Sequence, residues 1–346
     1  MKKPTGRGRI VADKRNFDQP QKNTQKQPAK PTRRRAARPP RRGNVLSRGI
    51  AGIVSLVWRV VWGSFWRTAA TLVLILGLVR LIEEYPAPSP RTILIVGLGA
   101  GLAIGCRVLG GLALIYAVIG FIPLWIEEVR KQGAREATHR FAHVVYVLLP
   151  GLALGYLVMG LIWPWSIMEP GHPLEAVTYF SHFFEKPWKE MFDGALVSVP
   201  DMPWSYLPTL FALQLPEVLL ALLTAAVVAT FMSLSRNDVT AKRKTIMLML
   251  TLAATLPLVI AMVKRPALYN GIRHFIFVIP PMAVLAGVAF ARGMDWLGEN
   301  RRAWQPAALA VFAFGLLLPL SEMIRLHPYQ YTHFNHIAGT VRTADN

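Results

Sequence analysis

Lys264 and Arg265, followed by Tyr269-Asn270-Gly271-Ile272-Arg273-His274, put four cationic or protonatable side chains within eleven positions. Such a group suits phosphate or pyrophosphate, because guanidinium grips phosphate oxygens bidentately while ammonium and imidazolium add charge. Ordinary anchoring to lipid headgroups would use the same residues. A second cation, Arg107, interrupts the apolar run from Thr92 to Ile126. A charge there is costly unless it meets a cavity, a headgroup or an acid. A lipid phosphate is one partner that guanidinium suits; Glu217, which follows Pro216 inside another apolar stretch, is the alternative. Ten aromatic residues crowd positions 163–208, among them Trp163, Trp165, Trp204 and Tyr206. They suit either a belt resting at the membrane interface or the lining of a cavity, where ring faces stack on sugars or polyprenyl chains.

Other chemistries find little footing. His327, His333 and His336 form the one histidine group that could take a divalent cation, but no cysteine accompanies them and Pro328 interrupts the local helix pattern; no metal and no cofactor is expected. His139 and His143, one helical turn apart, read as the polar start of a helix. Walker A, GxSxG and HExxH patterns do not occur, so soluble nucleotide and protease chemistry lack support. Cys106 is the single cysteine, which excludes an intramolecular disulfide framework.

The elements that must position these residues are helices in a bilayer. Of 346 residues, 53% are hydrophobic and only 17% charged, at a formal net charge of +20. Residues 1–49 hold 16 Lys/Arg against two Asp, a surplus of 14. Those cations sit among Pro, Gln, Asn and Thr in a stretch too polar to bury a core. Residues 1–44 therefore read as a disordered, cytoplasmic, orienting tail that touches anionic lipid, and not as a nucleic-acid module. Residues 45–82 read as an interfacial or membrane anchor helix, with Trp58, Trp62 and Trp66 beside Arg59 and Arg67. Residues 83–346 form the multi-span domain. Thr92 to Ile126 is too long for one crossing and reads as two short helices turning near Arg107, with Gly105, Gly110 and Gly111 allowing close packing. Further spans are expected near 141–162, 209–234, 245–263, 275–291 and 306–322.

The basic segments 127–140, 235–244 and 292–302 share one side by parity, which is cytoplasmic by the positive-inside rule. The loop 163–208, a short periplasmic helical segment, and the C-terminal tail then face outward. Segment 264–274 is basic yet outward, which pulls against the rule and marks it as functional. The fold class is an all-α, polytopic bundle in a bacterial inner (plasma) membrane, with its N-terminus in the cytoplasm.

Several stretches are similar to a known family. GLGAGLAIGCRVLGG (97–111), WPWSIMEPGHPLEAVTYFSHF (163–183), DMPWSYLP (201–208), LYNGIRHFIFVIPP (268–281) and HPYQYTHFNHIAG (327–339) occur in one order across about residues 82–346. They resemble the dolichyl-phosphate-mannose protein mannosyltransferase-like proteins, glycosyltransferase family 39, of the GT-C fold. The resemblance implies a partial GT-C-like helical bundle and sugar transfer from a polyprenyl-phosphate-linked donor at the periplasmic face. It places Arg107 and the Arg273-His274 pair near the donor, beside Lys264, Arg265 and Tyr269. GRGRIVADKR (6–15), RRGN (41–44) and LVWRVVWGSFWRTAATLVLILGL (56–78) instead resemble the tail and membrane anchor of a class A penicillin-binding protein.

Two departures shape the expectation. GT-C enzymes carry a catalytic acid in the first outward loop after their first helix; here that loop is replaced by the anchor, and Glu83 and Glu84 sit in a Pro-rich linker. The expected chain is thus a glycosyltransferase core lacking its acid. The alternatives are a non-catalytic membrane fusion or assembly protein and the anchor remnant of a peptidoglycan synthase. Parity also conflicts with a spanning 68–82 helix if 92–126 is a returning pair, so 68–82 is expected to lie shallow or tilted.

Overall fold

The computed structural model describes residues 65–181 and 188–339. The basic tail 1–44 and the first part of the anchor segment, 45–64, lie outside the described residues. Among them, helix α1 (Phe65–Glu83) is followed by α2 (Pro90–Cys106), α3 (Leu112–Gly120), α4 (Ile122–Gln132) and α5 (Ala134–Ile162). Helix α6 (His172–Ser181) leads to strands β1 (Lys189–Phe192) and β2 (Ala195–Ser198). Then come α7 (Tyr206–Gln214), α8 (Glu217–Leu234), α9 (Ala241–Lys264), α10 (Ile279–Asn300) and α11 (Gln305–Arg325). Among the described residues, seven helical segments are long and apolar enough to cross a membrane, with α2 a shorter apolar helix beside them. This is a multi-pass helical membrane protein.

Helix α1 corrects the expectation of a shallow segment. It runs antiparallel to α2 at close range: an added Cβ at Gly77 would meet the Val96 backbone at 3.0 Å, and one at Gly99 the Leu74 backbone at 2.6 Å. Leu74, Leu78, Leu81 and Ile82 are buried in the same core cluster as Val96 and Val144. It runs to the end that holds the basic connections, α2 returns, and α3 with α4 comes back, so residues 83 and 127–140 share one end as the pair reading required; Arg67, at the start of α1, then lies at the other end, against the expected cytoplasmic N-terminus. Helices α2 and α5 pack in parallel through two Gly-xxx-Gly pairs. Gly97 faces Gly151 and Gly101 faces Gly155, with added Cβ atoms falling 2.0 and 2.3 Å from the opposing carbonyl oxygens. In lipid, where apolar burial gives little drive between helices, such backbone-to-backbone contact supplies the packing.

Contacts between the connections divide the bundle into two ends. At one, Lys242 Nζ donates to the Glu83 and Tyr85 carbonyls at 2.7 and 3.0 Å, Glu127 Oε2 accepts the Ala241 N–H at 3.2 Å, and Arg140 pairs with Glu128 at 3.3 Å. This is the end of the basic connections. Glu84 caps α2 there, accepting the Ser89 N–H at 2.6 Å and the Thr92 hydroxyl at 2.8 Å. The Ser89 amide first, then the Thr92 hydroxyl, holds its carboxyl below the usual carboxylate range. Arg67, Arg107, the 163–208 loop and the 264–274 segment lie at the opposite end, where the Asn335 N–H also reaches the Leu213 carbonyl at 2.7 Å.

The loop 163–208 is not wholly helical as expected. Its centre is an antiparallel hairpin pairing Lys189 with Ser198 and Phe192 with Ala195. Asp193 and Gly194 turn it with φ of 52° and 70°. Positive φ at both central residues is the hairpin geometry whose twist matches the strands, and Asp-Gly is its strongest short signal. The expected span 209–234 is also divided. Pro216 drives Leu215 into extended backbone (φ −85°, ψ 149°) and ends α7 before α8 starts.

Candidate functional site

Arg107 sits where α2 stops. Its backbone is extended (φ −158°, ψ 132°) between α2 and the 3₁₀ turn Val108–Gly111. Gly110 lets that turn fold back, since a Cβ there would lie 2.5 Å from Ala103; Gly111, expected to matter equally, faces open space. The guanidinium donates to the His274 carbonyl at 2.5 Å. This is not the expected pairing with Glu217, whose carboxylate instead accepts the His336 N–H at 2.6 Å across the α8 end.

Arg273 and His274 are carried by the 3₁₀ helix Gly271–Val278. Before it the chain turns sharply, with Asn270 and Gly271 both left-handed at φ 55° and 69°. Asparagine tolerates that region and glycine enters it freely. The exposed N–H groups of the turn are held from the hairpin: Glu190 of β1 accepts the Asn270 N–H at 2.9 Å on both carboxylate oxygens, and the Tyr206 hydroxyl accepts the Gly271 N–H at 3.1 Å. Tyr206 donates onward to Glu190 at 3.3 Å. Burial, with the Glu190 charge beside it, pushes the Tyr206 phenol up to about 12, so it stays a neutral donor. The Tyr269 ring is shared, with Arg273 4.7 Å over its face and His274 and Trp188 at its edges (4.7 and 4.9 Å).

These constraints bring Arg107, Arg273 and His274 onto one cavity of about 40 Å³ beside Cys106 and Tyr116. Arg67 of α1 completes the lining. Arg67 and Arg273 are near enough for both charges to act on Arg107. Three guanidinium groups therefore converge from three separate elements, and no lining residue is an acid. Like charges placed together without a counter-ion repel by kilocalories at a protein edge, and an anion between them removes that cost while accepting forked hydrogen bonds. His274 Nε2 is buried without a hydrogen-bond partner among the described residues. The volume admits one compact group, such as a phosphate or a few waters.

The other expected site residues fall elsewhere. Lys264 and Arg265 are exposed and do not line the cavity; Arg265, left-handed at φ 48°, ends α9. Trp163 and Trp165 lie against each other at 5.6 Å, and Trp165 stacks on His172 at 4.0 Å. Trp204 is exposed and Tyr206 buried. None of these four lines the cavity; Tyr116 and Phe277 do. Tyr206 acts on it through Glu190 and Gly271. In the tail, Glu322 meets His336 at 3.1 Å and His333 at 3.4 Å, while no group of three or more His, Cys, Asp or Glu among the described residues has metal-holding geometry. Arg67 was the residue sequence reasoning missed. Its signal, a cation next to Phe65 and Trp66, is indistinguishable from headgroup anchoring.

Fold and cavity together define the class: a multi-pass α-helical membrane protein with an arginine-lined pocket at the end opposite its basic connections. Compared with protein-family models, curated proteins and solved structures, the chain matches none.

Proposed function

We propose that the chain is a glycosyltransferase-like protein of a bacterial inner membrane, holding the phosphate of a polyprenyl-phosphate-linked sugar between Arg67, Arg107 and Arg273 at the periplasmic face. The observation that carries this reading is the convergence of three arginines on one cavity without an acid among its lining residues. The motif resemblance supplies the donor class. The outward assignment rests on the basic connections at the opposite end, which the positive-inside rule assigns to the cytoplasm.

The same lining favours a second reading. Sugar transfer commonly needs a carboxyl group to activate the acceptor, and Glu83 and Glu84, the acids nearest in sequence to the anchor, lie at the far end with Glu84 occupied as a cap. A phosphate-binding membrane protein without turnover has the same cavity.

Cys106, the single cysteine, lines the cavity and makes the test direct. A polyprenyl monophosphate is expected to slow its reaction with methyl methanethiosulfonate in the purified full chain; an unchanged rate would remove the binding reading. Incubation with a radiolabelled polyprenyl-phosphate sugar separates the two readings, since transfer to acceptor supports the enzyme and binding without transfer the second.

Sidedness has its own measurement. In a Cys106→Ser background, an impermeant thiol reagent outside the cell is expected to label Trp204→Cys and spare Ala87→Cys, both positions being exposed. Labelling of Ala87→Cys from outside would invert the arrangement. This arrangement puts Phe65, the first described residue, at the outward end.

A further inference from the structure

Beside the arginine cavity a groove of about 440 Å³ runs between α1 and α10. Thr68 and Leu72 form one wall and Ile279, Ala283 and Val284 the other. Thr68 and Ile276 line both the groove and the cavity, so the two spaces join. Thr68 to Leu72 is one helical turn on α1, and Ile279 to Ala283 is one turn on α10; each pair therefore presents one face. Both stripes start at the cavity and run toward the basic end, which is the direction of increasing membrane depth. Leu72 and Ala283 are exposed, so the groove opens on the flank of the bundle. Its volume lies within the roughly 300–1,000 Å³ of ordinary ligand pockets, yet its walls offer only the Thr68 hydroxyl for polar contact.

We propose that this groove takes the hydrocarbon chain of the same phosphate amphiphile whose phosphate lies among the arginines, so that the ligand enters sideways from the bilayer and α1 supplies half of its site. The inference rests on the phosphate-binding reading. It is carried by the continuity of an acid-free cationic cavity with an apolar groove, an arrangement that matches a charged head on an apolar tail. Helix α1, whose sequence resembles the anchor of another family, then does more than attach the chain: it brings Arg67 to the head and Thr68 and Leu72 to the tail. Bilayer lipid is as apolar as the groove, so burial alone does not favour the chain there. The gain comes from fit beside a fixed head, and a bulky wall residue is expected to abolish it.

Ala283→Trp tests this in the purified full chain, using Cys106 thiol protection with two probes, a long-chain polyprenyl monophosphate and inorganic phosphate. The variant is expected to raise the half-protecting amount of the long-chain compound about tenfold, the size of an ordinary overpacking cost, and to leave that of inorganic phosphate unchanged. Leu72→Trp, from the opposite wall, is expected to repeat the pattern. If both probes protect the parent chain and neither variant alters the long-chain value, the groove is unused and the proposal falls while the phosphate reading stands. An equal loss for both probes also overturns it, since the groove would then not act apart from the cavity. If neither probe protects the parent chain, the phosphate reading itself fails.

Discussion

Arg107→Ala is expected to raise the half-protecting amount of polyprenyl monophosphate at Cys106 by about 30-fold or more. Removing one partner of a buried, hydrogen-bonded charge pair costs about 2–5 kcal/mol. Arg107 is the half-buried member of the three, held by the His274 carbonyl at the end of α2. The variant also alters the surroundings of Cys106, so the quantity to compare is the ratio of thiol-modification rates with and without ligand within each protein. Arg107→Lys keeps the charge but loses the planar fork, and an intermediate effect is expected. Lys264→Ala is expected to change nothing, because Lys264 does not line the cavity despite its place in the same basic stretch. An effect of Lys264→Ala equal to that of Arg107→Ala would mean that diffuse surface charge, and not the cavity, attracts the ligand.

The second large effect concerns the fold. Gly97→Ala and Gly111→Ala are the same chemical change with different expected outcomes. Alanine outranks glycine in helix interiors by about 1 kcal/mol, so propensity alone favours Gly97→Ala over Gly111→Ala, since Gly111 sits at the N-cap of α3 where that preference does not hold. At Gly111 an added Cβ meets nothing within 4 Å, and a nearly unchanged melting temperature is expected. At Gly97 the same atom falls 2.0 Å from the Gly151 carbonyl oxygen and 2.5 Å from its carbon. Backbone cannot step aside as a flexible side chain does, so α2 and α5 must separate along their whole seam. The expected result is a loss beyond the roughly 1–3 kcal/mol of ordinary overpacking, seen as aggregation on size exclusion in detergent or a markedly lower melting temperature. Equal melting behaviour of the two variants would show that α2 and α5 do not pack in this way.

The two effects are linked through Arg107. The α2–α5 seam continues to Gly105, whose added Cβ would sit 3.1 Å from Ile162, and one residue past Cys106 the helix ends and Arg107 turns into the cavity. The sequence reading reached this turn because a cation interrupting a 35-residue apolar run is a local signal. It did not reach the hairpin at 189–198, although Asp193-Gly194 was legible as a turn; the surrounding aromatic residues drew the reading toward interfacial helices. It assigned Lys264 and Arg265 to phosphate because they adjoin Arg273 in sequence. The left-handed cap at Arg265 and the Asn270-Gly271 turn carry the chain away between them, and adjacency was lost.

What the sequence determined by itself follows from short-range physics. Twenty-residue windows of apolar side chains specify crossings because an unsatisfied backbone cannot lie in lipid, and clusters of Lys and Arg specify which connections share an end. Both can be read without knowing any neighbour in space. Only the tertiary structure decided that Arg67, Arg107 and Arg273 share one cavity, that Glu217 turns to His336, and that α1 belongs to the bundle. Those outcomes depend on which helix faces pack. Here the packing is set by glycine seams and by hydrogen bonds such as Glu190 to Asn270, whose partners lie far apart along the chain and leave no local mark in the residues they bring together.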